Sequence, residues 1–419
     1  MVTTGAEVVV DPRLTVAVLG WAAAGVILGT VSGLIPGLHA NNFALVLAGI
    51  ATALPGPPLL VGVAMLAAGV VHTFVNVVPA MALGVPDAEM ALTALPGHRL
   101  ILDGRGHEAI RLSAVGSLLA IVLAVALAIP VTVAVTRAYP TIMAHLSLIL
   151  ALVVCGLIAS ERTTRRRVGA TLSFALAATL GAVTLDVSPS APLDAGGMLA
   201  PLFAGLFGAP VLIDAMRGGG VPPQEDDRIR LPRGILAVAA IAGALAGAVV
   251  GYLPGISAAI AAVAVLFVMP DGDAGADGIG DRRYVVATSG VDTANTVFAL
   301  FALVAIGQPR TGVMVAFESA GVPQSLPILL GTVVFAGVAG FFLVIGLGDR
   351  YLAFVGNCSY WKISVSVLVL LCGLSYLFAG LLGVCVLVVA TAIGLVPVRF
   401  RARRVHLMGV LIGPLLFGI

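Results

Sequence analysis

Gly33-Leu34-Ile35-Pro36-Gly37-Leu38-His39-Ala40-Asn41-Asn42 interrupts an apolar run that would otherwise continue as one membrane helix. Pro36 removes a backbone donor and clashes with the preceding turn. Gly37 tolerates backbone angles that other residues avoid. His39, Asn41 and Asn42 follow at once, and an apolar run resumes at 43–54. The stretch predicts a broken helix whose second part starts near Leu38 with its first N–H groups free. The signal returns as Gly251-Tyr252-Leu253-Pro254-Gly255-Ile256-Ser257. Two broken helices at corresponding places in two halves mark the binding site of a secondary transporter. A plain proline kink is the alternative for either copy alone.

Composition sets the solvent. The chain has 419 residues, 60% hydrophobic and 10% charged, with a mean hydropathy of +1.14. A soluble domain carries about 25% charged residues, so this chain belongs in a bilayer. The formal charge of +2 implies no particular partner. Lys362 is the only lysine, and no basic face of the kind nucleic acid requires is visible. Cys155, Cys358, Cys372 and Cys385 form no C-x-x-C pair and read as buried, apolar thiols. The first apolar run leads into the Pro-Gly break instead of a small-residue cleavage site, so no cleavable signal peptide is expected.

A spanning helix needs about 20 apolar residues. Apolar runs at 14–35, 38–54, 59–85, 110–135, 141–159, 168–185 and 198–215 precede a polar stretch at 216–233. Runs at 235–253, 256–269, 284–306, 327–347, 363–379, 381–398 and 407–419 follow it, with 363–398 read as a hairpin. The reading is an all-α polytopic membrane protein. It has about 10–12 transmembrane segments in two inverted repeats, each with a Pro-Gly broken helix or re-entrant hairpin. The first repeat half is 1–215, the cytoplasmic linker 216–233 and the second half 234–419. Arginine bias places 162–167 and 399–404 in the cytoplasm. Alternation then brings 86–108 and 216–233 inside and leaves 186–194 and 308–326 outside. The polar helix of each half thus exits on an opposite face.

Unpaired backbone groups persist in a membrane only where protein or a polar cavity satisfies them. A helix N-terminus offers N–H donors and about half a positive charge, which suits a carboxylate. Gly37, His39, Asn41, Asn42, Gly255 and Ser257 are therefore the candidate substrate-binding residues. A second constellation lies inside 284–306: Thr288, Ser289, Asp292, Asn295 and Thr296 at helical spacings of three and four, with Thr293 beside them. A buried acid at a helix centre costs roughly 2.5–3.5 kcal/mol on insertion scales and marks an ion or proton path. The bland alternative pairs Asp292 with an arginine near the span's edge. His72, Thr73 and Asn76 occupy the equivalent place in the first half, with His72 and Asn76 four apart. Asp292, Asn295, Thr296, His72 and Asn76 are the candidate ion-coupling residues, although a lone membrane histidine is more often a packing residue. No H-E-x-x-H, C-x-x-C or Walker loop is present, so neither a catalytic residue nor a metal site is assigned. Asp271, Asp273, Asp277 and Asp281 read as solvated loop acids, since the final Glu of an EF-hand is missing.

On these residues the chain resembles the large membrane subunit of the tripartite tricarboxylate transporters, the TctA-like permeases, and especially their shorter archaeal-type relatives. Gly33-Leu34-Ile35-Pro36-Gly37-Leu38 is similar to the family's first P-G-L signature and Gly251-Tyr252-Leu253-Pro254-Gly255 to its second. Asp292-Thr293-Ala294-Asn295-Thr296 resembles its acidic-x-x-Asn-Asn segment. Gly84-Val85-Pro86 and Gly307-Gln308-Pro309 resemble the G-x-P that ends each polar helix. His39 stands where the family has Gly after P-G-L, and Thr296 where it has a second Asn. The resemblance implies a permease of the cytoplasmic membrane. In bacterial systems it works with a small membrane subunit and an extracytoplasmic binding protein; a stand-alone permease is the other arrangement.

The expected function is secondary-active transport of an organic carboxylate, such as a di- or tricarboxylate, coupled to Na⁺ or H⁺. No other cofactor is expected. Carrying one negative charge inward costs about 2.3 kcal/mol per 100 mV, and a trivalent anion about 7, so uptake needs a matching co-transported cation. An exporter or ion channel on the same repeat is the alternative, and an intramembrane enzyme a third.

Overall fold

The computed structural model describes residues 11–35, 56–83, 94–193, 197–216, 222–225, 228–253, 256, 258, 261, 265 and 279–418. Among these the secondary structure is helical throughout. The first group of helices is α1 (Pro12–Leu34), α2 (Pro58–Val75), α3 (Val77–Leu83), α4 (Ala94–Leu102) and α5 (Gly106–Ala144). Then come α6 (Leu146–Ala159), α7 (Thr164–Thr184), and α8 (Leu199–Phe203), which runs through a π-helical stretch (Ala204–Gly208) into α9 (Ala209–Ala215). The remainder is α10 (Arg233–Tyr252), α11 (Ile279–Ile306), α12 (Gly312–Ser319), α13 (Leu326–Gly356), α14 (Tyr360–Phe400), a 3-10 turn (Arg404–Met408) and α15 (Gly409–Phe417). Eight helices among the described residues are long and apolar enough to cross a membrane, and the chain is a multi-pass membrane protein.

Both predicted helix breaks begin where the sequence puts them. α1 stops at Leu34, and Ile35 is extended at φ −83°, ψ 111°. α10 stops at Tyr252, and Leu253 is extended at φ −97°, ψ 124°. Each extended residue precedes a proline, whose ring disfavours the α region for its predecessor. The segment after the first break, 36–55, lies outside the described residues, as does most of the segment after the second, of which only 256, 258, 261 and 265 are described.

Glycine decides how these helices pair. On α1, Gly25 packs on Ala64 and Ala67, Gly29 on Ala68, and Gly33 on Val75 and Asn76 of α2. On α10, Gly243 packs on Ala287, Gly247 on Val291 and Ala294, and Gly251 on Phe298 of α11. A Cβ at Gly247 would stand 2.6 Å from Ala294 Cβ and 2.7 Å from the Val291 carbonyl oxygen. Small residues at four-residue spacing let two membrane helices approach backbone to backbone. Residue numbers rise together in both pairs, so α1 runs parallel to α2 and α10 parallel to α11. The two pairs run in opposite directions. Met81, near the end of α3, packs on Gly97 of α4, whose Arg99 pairs with Asp281 at the start of α11. At the other end, Gly62 near the start of α2 packs on Val322, beyond the C-terminus of α11.

α2 and α11 are central. Of their most apolar windows, 89% for α2 (with α3) and 83% for α11 is buried, against 17% for α1. α5 and α13 pack around them: Gly116 on Val286, Gly337 on Ile121, Gly340 on Phe74 and Gly348 on Ile110. A second apolar core joins α6, α7, the π-helical stretch, α14 and α15 through Leu150, Ala177, Phe207, Ala390 and Val410.

Several boundaries differ from the sequence reading. The segment expected at 110–135 continues to Ala144, with Pro130 and Pro140 inside it. Membrane helices tolerate proline where side chains and neighbours re-satisfy the freed backbone groups. The 86–108 loop contains helix α4. The two segments expected at 363–379 and 381–398 meet at Gly380 (φ 60°, ψ −157°), where two helical stretches of α14 join directly with no loop between them. Gly380 lies against Ser190 and Phe400 against Gly169, so the second stretch returns antiparallel to α7. Cys155 and Cys385 lie on outward helix faces instead of in the core, where lipid receives an apolar thiol as readily as protein does.

Candidate functional site

The polar residues of the two central helices meet. On α11 a helical face carries Thr288, Ser289, Asp292, Asn295 and Thr296, all buried, with Asp292 only 1% exposed. On α2, His72 is fully buried at 0%, and Thr73 and Asn76 are buried beside it. Thr73 Oγ1 lies 3.4 Å from Thr293 Oγ1, bringing the helices into direct polar contact. Thr293 Oγ1 also donates to the Ser289 carbonyl at 3.1 Å, and Thr73 Oγ1 lies 2.8 Å from the Val70 carbonyl.

The flanking helices complete the cluster. Ser32 of α1 reaches His72 Nδ1 at 2.9 Å, while its hydroxyl lies 3.1 Å from the Gly29 carbonyl oxygen. Ser113 of α5 meets the Ser289 hydroxyl at 2.8 Å, and Ser117 donates to the Ser289 carbonyl at 3.2 Å. The Asn295 side-chain oxygen is buried with no hydrogen-bond partner among the described residues. Carboxylate, amide and hydroxyl oxygens in one dry region suit a hard cation or a proton. Among the described residues no group of three His, Cys, Asp or Glu side chains is placed to hold a metal ion.

All five ion-coupling candidates fall in or beside this cluster: Asp292, Asn295 and Thr296 on α11, His72 on α2, and Asn76 just past its end. The six substrate-binding candidates, Gly37, His39, Asn41, Asn42, Gly255 and Ser257, lie outside the described residues. The two helix ends that lead to them are described. Gly33 packs on Asn76, three residues past Thr73, and Gly251 packs on Phe298, five residues past Thr293. At about 1.5 Å per residue, both ends lie within roughly two helical turns of the Thr73–Thr293 contact. Sequence reasoning missed Ser32, Ser113 and Ser117. The Ser113-x₃-Ser117 spacing inside an apolar run was the one available signal.

Charge is gathered at the ends of the helices. Glu108 of α5, 0% exposed, accepts from Arg282 Nε at 3.0 Å and from the Arg230 backbone N–H at 2.7 Å, and pairs with Arg105. Arg230 precedes α10, so this acid ties the linker to α5 and α11. Gln224 continues the tie, accepting from the Gly106 N–H at 2.7 Å and donating to the Ile101 carbonyl at 3.0 Å. Elsewhere the two arginine-rich segments meet: Arg165 donates to the Arg399 carbonyl, and Glu161 accepts from the Arg403 backbone N–H at 2.9 Å, Arg403 Nε at 3.1 Å and His406 Nε2 at 3.0 Å. Burial pushes the Glu161 carboxyl up, but these donors outweigh it and hold the group below its ordinary value.

The uncharacterized protein MJ1079 of Methanocaldococcus jannaschii is 25% identical over 405 residues, covering 93% of this chain and 96% of that protein. No solved structure matches. The model of the family described as "Tripartite tricarboxylate transporter TctA family" matches residues 19–409, a stretch that holds both helix breaks and the whole buried polar cluster, and the chain belongs to that family of membrane transporters.

Proposed function

We propose that the chain is a secondary-active permease that moves an organic carboxylate, a di- or tricarboxylate, by coupling it to Na⁺ or H⁺. Two inverted repeat halves, 1–215 and 234–419, joined by the 216–233 linker, would form the transport core. The oppositely directed α1–α2 and α10–α11 pairs support this division. The observation that carries the reading is the buried cluster around Asp292, set between helices of the two halves and close to both helix breaks. An ionisable side chain in such a place is a coupling group by default. Asp292, Asn295 and Thr296 take the cation, with His72 and Asn76 as their first-half counterparts. The segments that open at Pro36 and Pro254 take the anion through N–H groups of Gly37 and Gly255 and the side chains of His39, Asn41, Asn42 and Ser257. The family's name supports a tripartite arrangement with a small membrane subunit and an extracytoplasmic binding protein.

The test is uptake by the purified chain in proteoliposomes. Labelled citrate or succinate should accumulate above its equilibrium level when a Na⁺ or pH gradient is imposed, and stop when the gradient is collapsed. Equilibration without accumulation would make the protein a channel. Conversion of substrate without movement would make it an enzyme.

A further inference from the structure

An arginine at the far end of α11 has no counter-charge among the described residues. α11 ends at Ile306, and Gly307-Gln308-Pro309-Arg310-Thr311 leads into α12. This is the end of the helix opposite the Arg105–Glu108–Arg282 cluster. Arg310 turns its guanidinium onto Tyr139, near the far end of α5: Nη2 donates to the phenol oxygen, and Cζ stands 5.7 Å from the ring centroid. The side chain is partly buried, and its Nε is fully buried with no acceptor among the described residues. Arg99, Arg105, Arg282 and Arg403 each pair with a carboxylate, whereas no Asp or Glu among the described residues pairs with Arg310. A guanidinium has five donors in a fixed fork matched to a carboxylate or phosphate. Removing one from water without an acid partner is costly.

A polar strip connects this residue to the second break. Thr132, Thr136 and Tyr139 fall at i, i+4 and i+7 on α5. The Thr132 hydroxyl meets that of Tyr252, whose ring packs 6.1 Å from Phe298. Tyr252 is the last helical residue before Leu253 and the second Pro-Gly. The macrodipole at the end of α11 would favour a cation here on its own, but it asks for neither the Tyr139 clamp nor a buried Nε.

We infer that Arg310, steadied by Tyr139, is an oxyanion-binding station at this mouth of the protein, taking a carboxylate of the substrate before it reaches the helix breaks. The assignment of the carboxylate as transported substrate rests on the permease reading above. The same fork would fit a lipid phosphate, so the experiment separates the two. In detergent, citrate should raise the melting temperature of the wild-type chain and fail to raise that of R310Q, with R310K between them and Y139F weakened. In proteoliposomes, R310Q should raise the KM for citrate by about tenfold or more, the scale of a lost charge-assisted bond, with the maximal rate within about twofold. Equal citrate stabilisation of wild type and R310Q, or an unchanged KM, overturns the proposal. So does Arg310-dependent stabilisation by phosphatidylglycerol but not by citrate. Arg310-dependent stabilisation by citrate with no accumulation under any gradient would keep the station and sink the permease reading.

Discussion

Thr73 and Thr293 touch across 220 positions of sequence, their hydroxyl oxygens 3.4 Å apart between two helices that otherwise bury nearly everything they carry. Asp292 is the neighbour of one of them, and a buried acid there is tolerable only if its charge has a use. Asp292→Asn keeps the shape and removes the charge. It should reduce gradient-driven uptake to background while expression and melting temperature are maintained or raised. Unchanged uptake would remove Asp292 from the mechanism.

The glycine ladders set the helix pairs at backbone distance, so a methyl group is too large. Gly247→Ala would place its Cβ against Ala294 and Val291, and Gly33→Ala against Val75, 2.9 Å from its Cβ. Each should destabilise the protein by about 1–3 kcal/mol, as overpacking does. Gly331→Ala, with nothing within 4 Å, should be neutral or slightly stabilising. Thermal melting in detergent separates the two classes; equal melting of Gly247→Ala and Gly331→Ala would contradict the close approach.

Acid should loosen the junction of the two arginine-rich segments. Glu161 has its carboxyl held below the ordinary 4.5, so the folded state binds a proton less readily than the unfolded chain. Its contribution is therefore present above pH 4.5 and is lost as pH falls through the lower, folded value. Melting temperature against pH should bend downward in this acid range, and Glu161→Gln should lower the neutral-pH plateau and remove that part of the bend. A Glu161→Gln curve parallel to wild type would show that Glu161 adds nothing.

Gly380 is the one residue inside α14 with non-helical angles, φ 60° and ψ −157°, a region essentially reserved for glycine. A Cβ there would also overlap the Ser190 carbonyl oxygen. Gly380→Ala should cost about 1–3 kcal/mol, while Gly373→Ala, in the same helix with open space around it, should cost little. Equal melting temperatures for the two variants would show that the bend does not depend on glycine.

The sequence by itself determined the class of protein, the two places where helices stop, and the five residues of the buried cluster that are out of place in an apolar run. These are local matters. Proline dictates the conformation of its own neighbour, as Ile35 and Leu253 show, and an acid such as Asp292 stands out in an apolar run before its packing is known. Tertiary structure alone decided that α1 lies parallel to α2 and α10 to α11, that α5 runs on through Pro130 and Pro140, and that Ser32, Ser113 and Ser117 join the cluster. A serine in an apolar helix usually bonds its own preceding turn and leaves no periodic trace, so its distant partner cannot be read from its neighbours. The side-chain contacts join positions 40 to 220 apart, and the complementarity of the surfaces that bring them together is a property of the packed molecule.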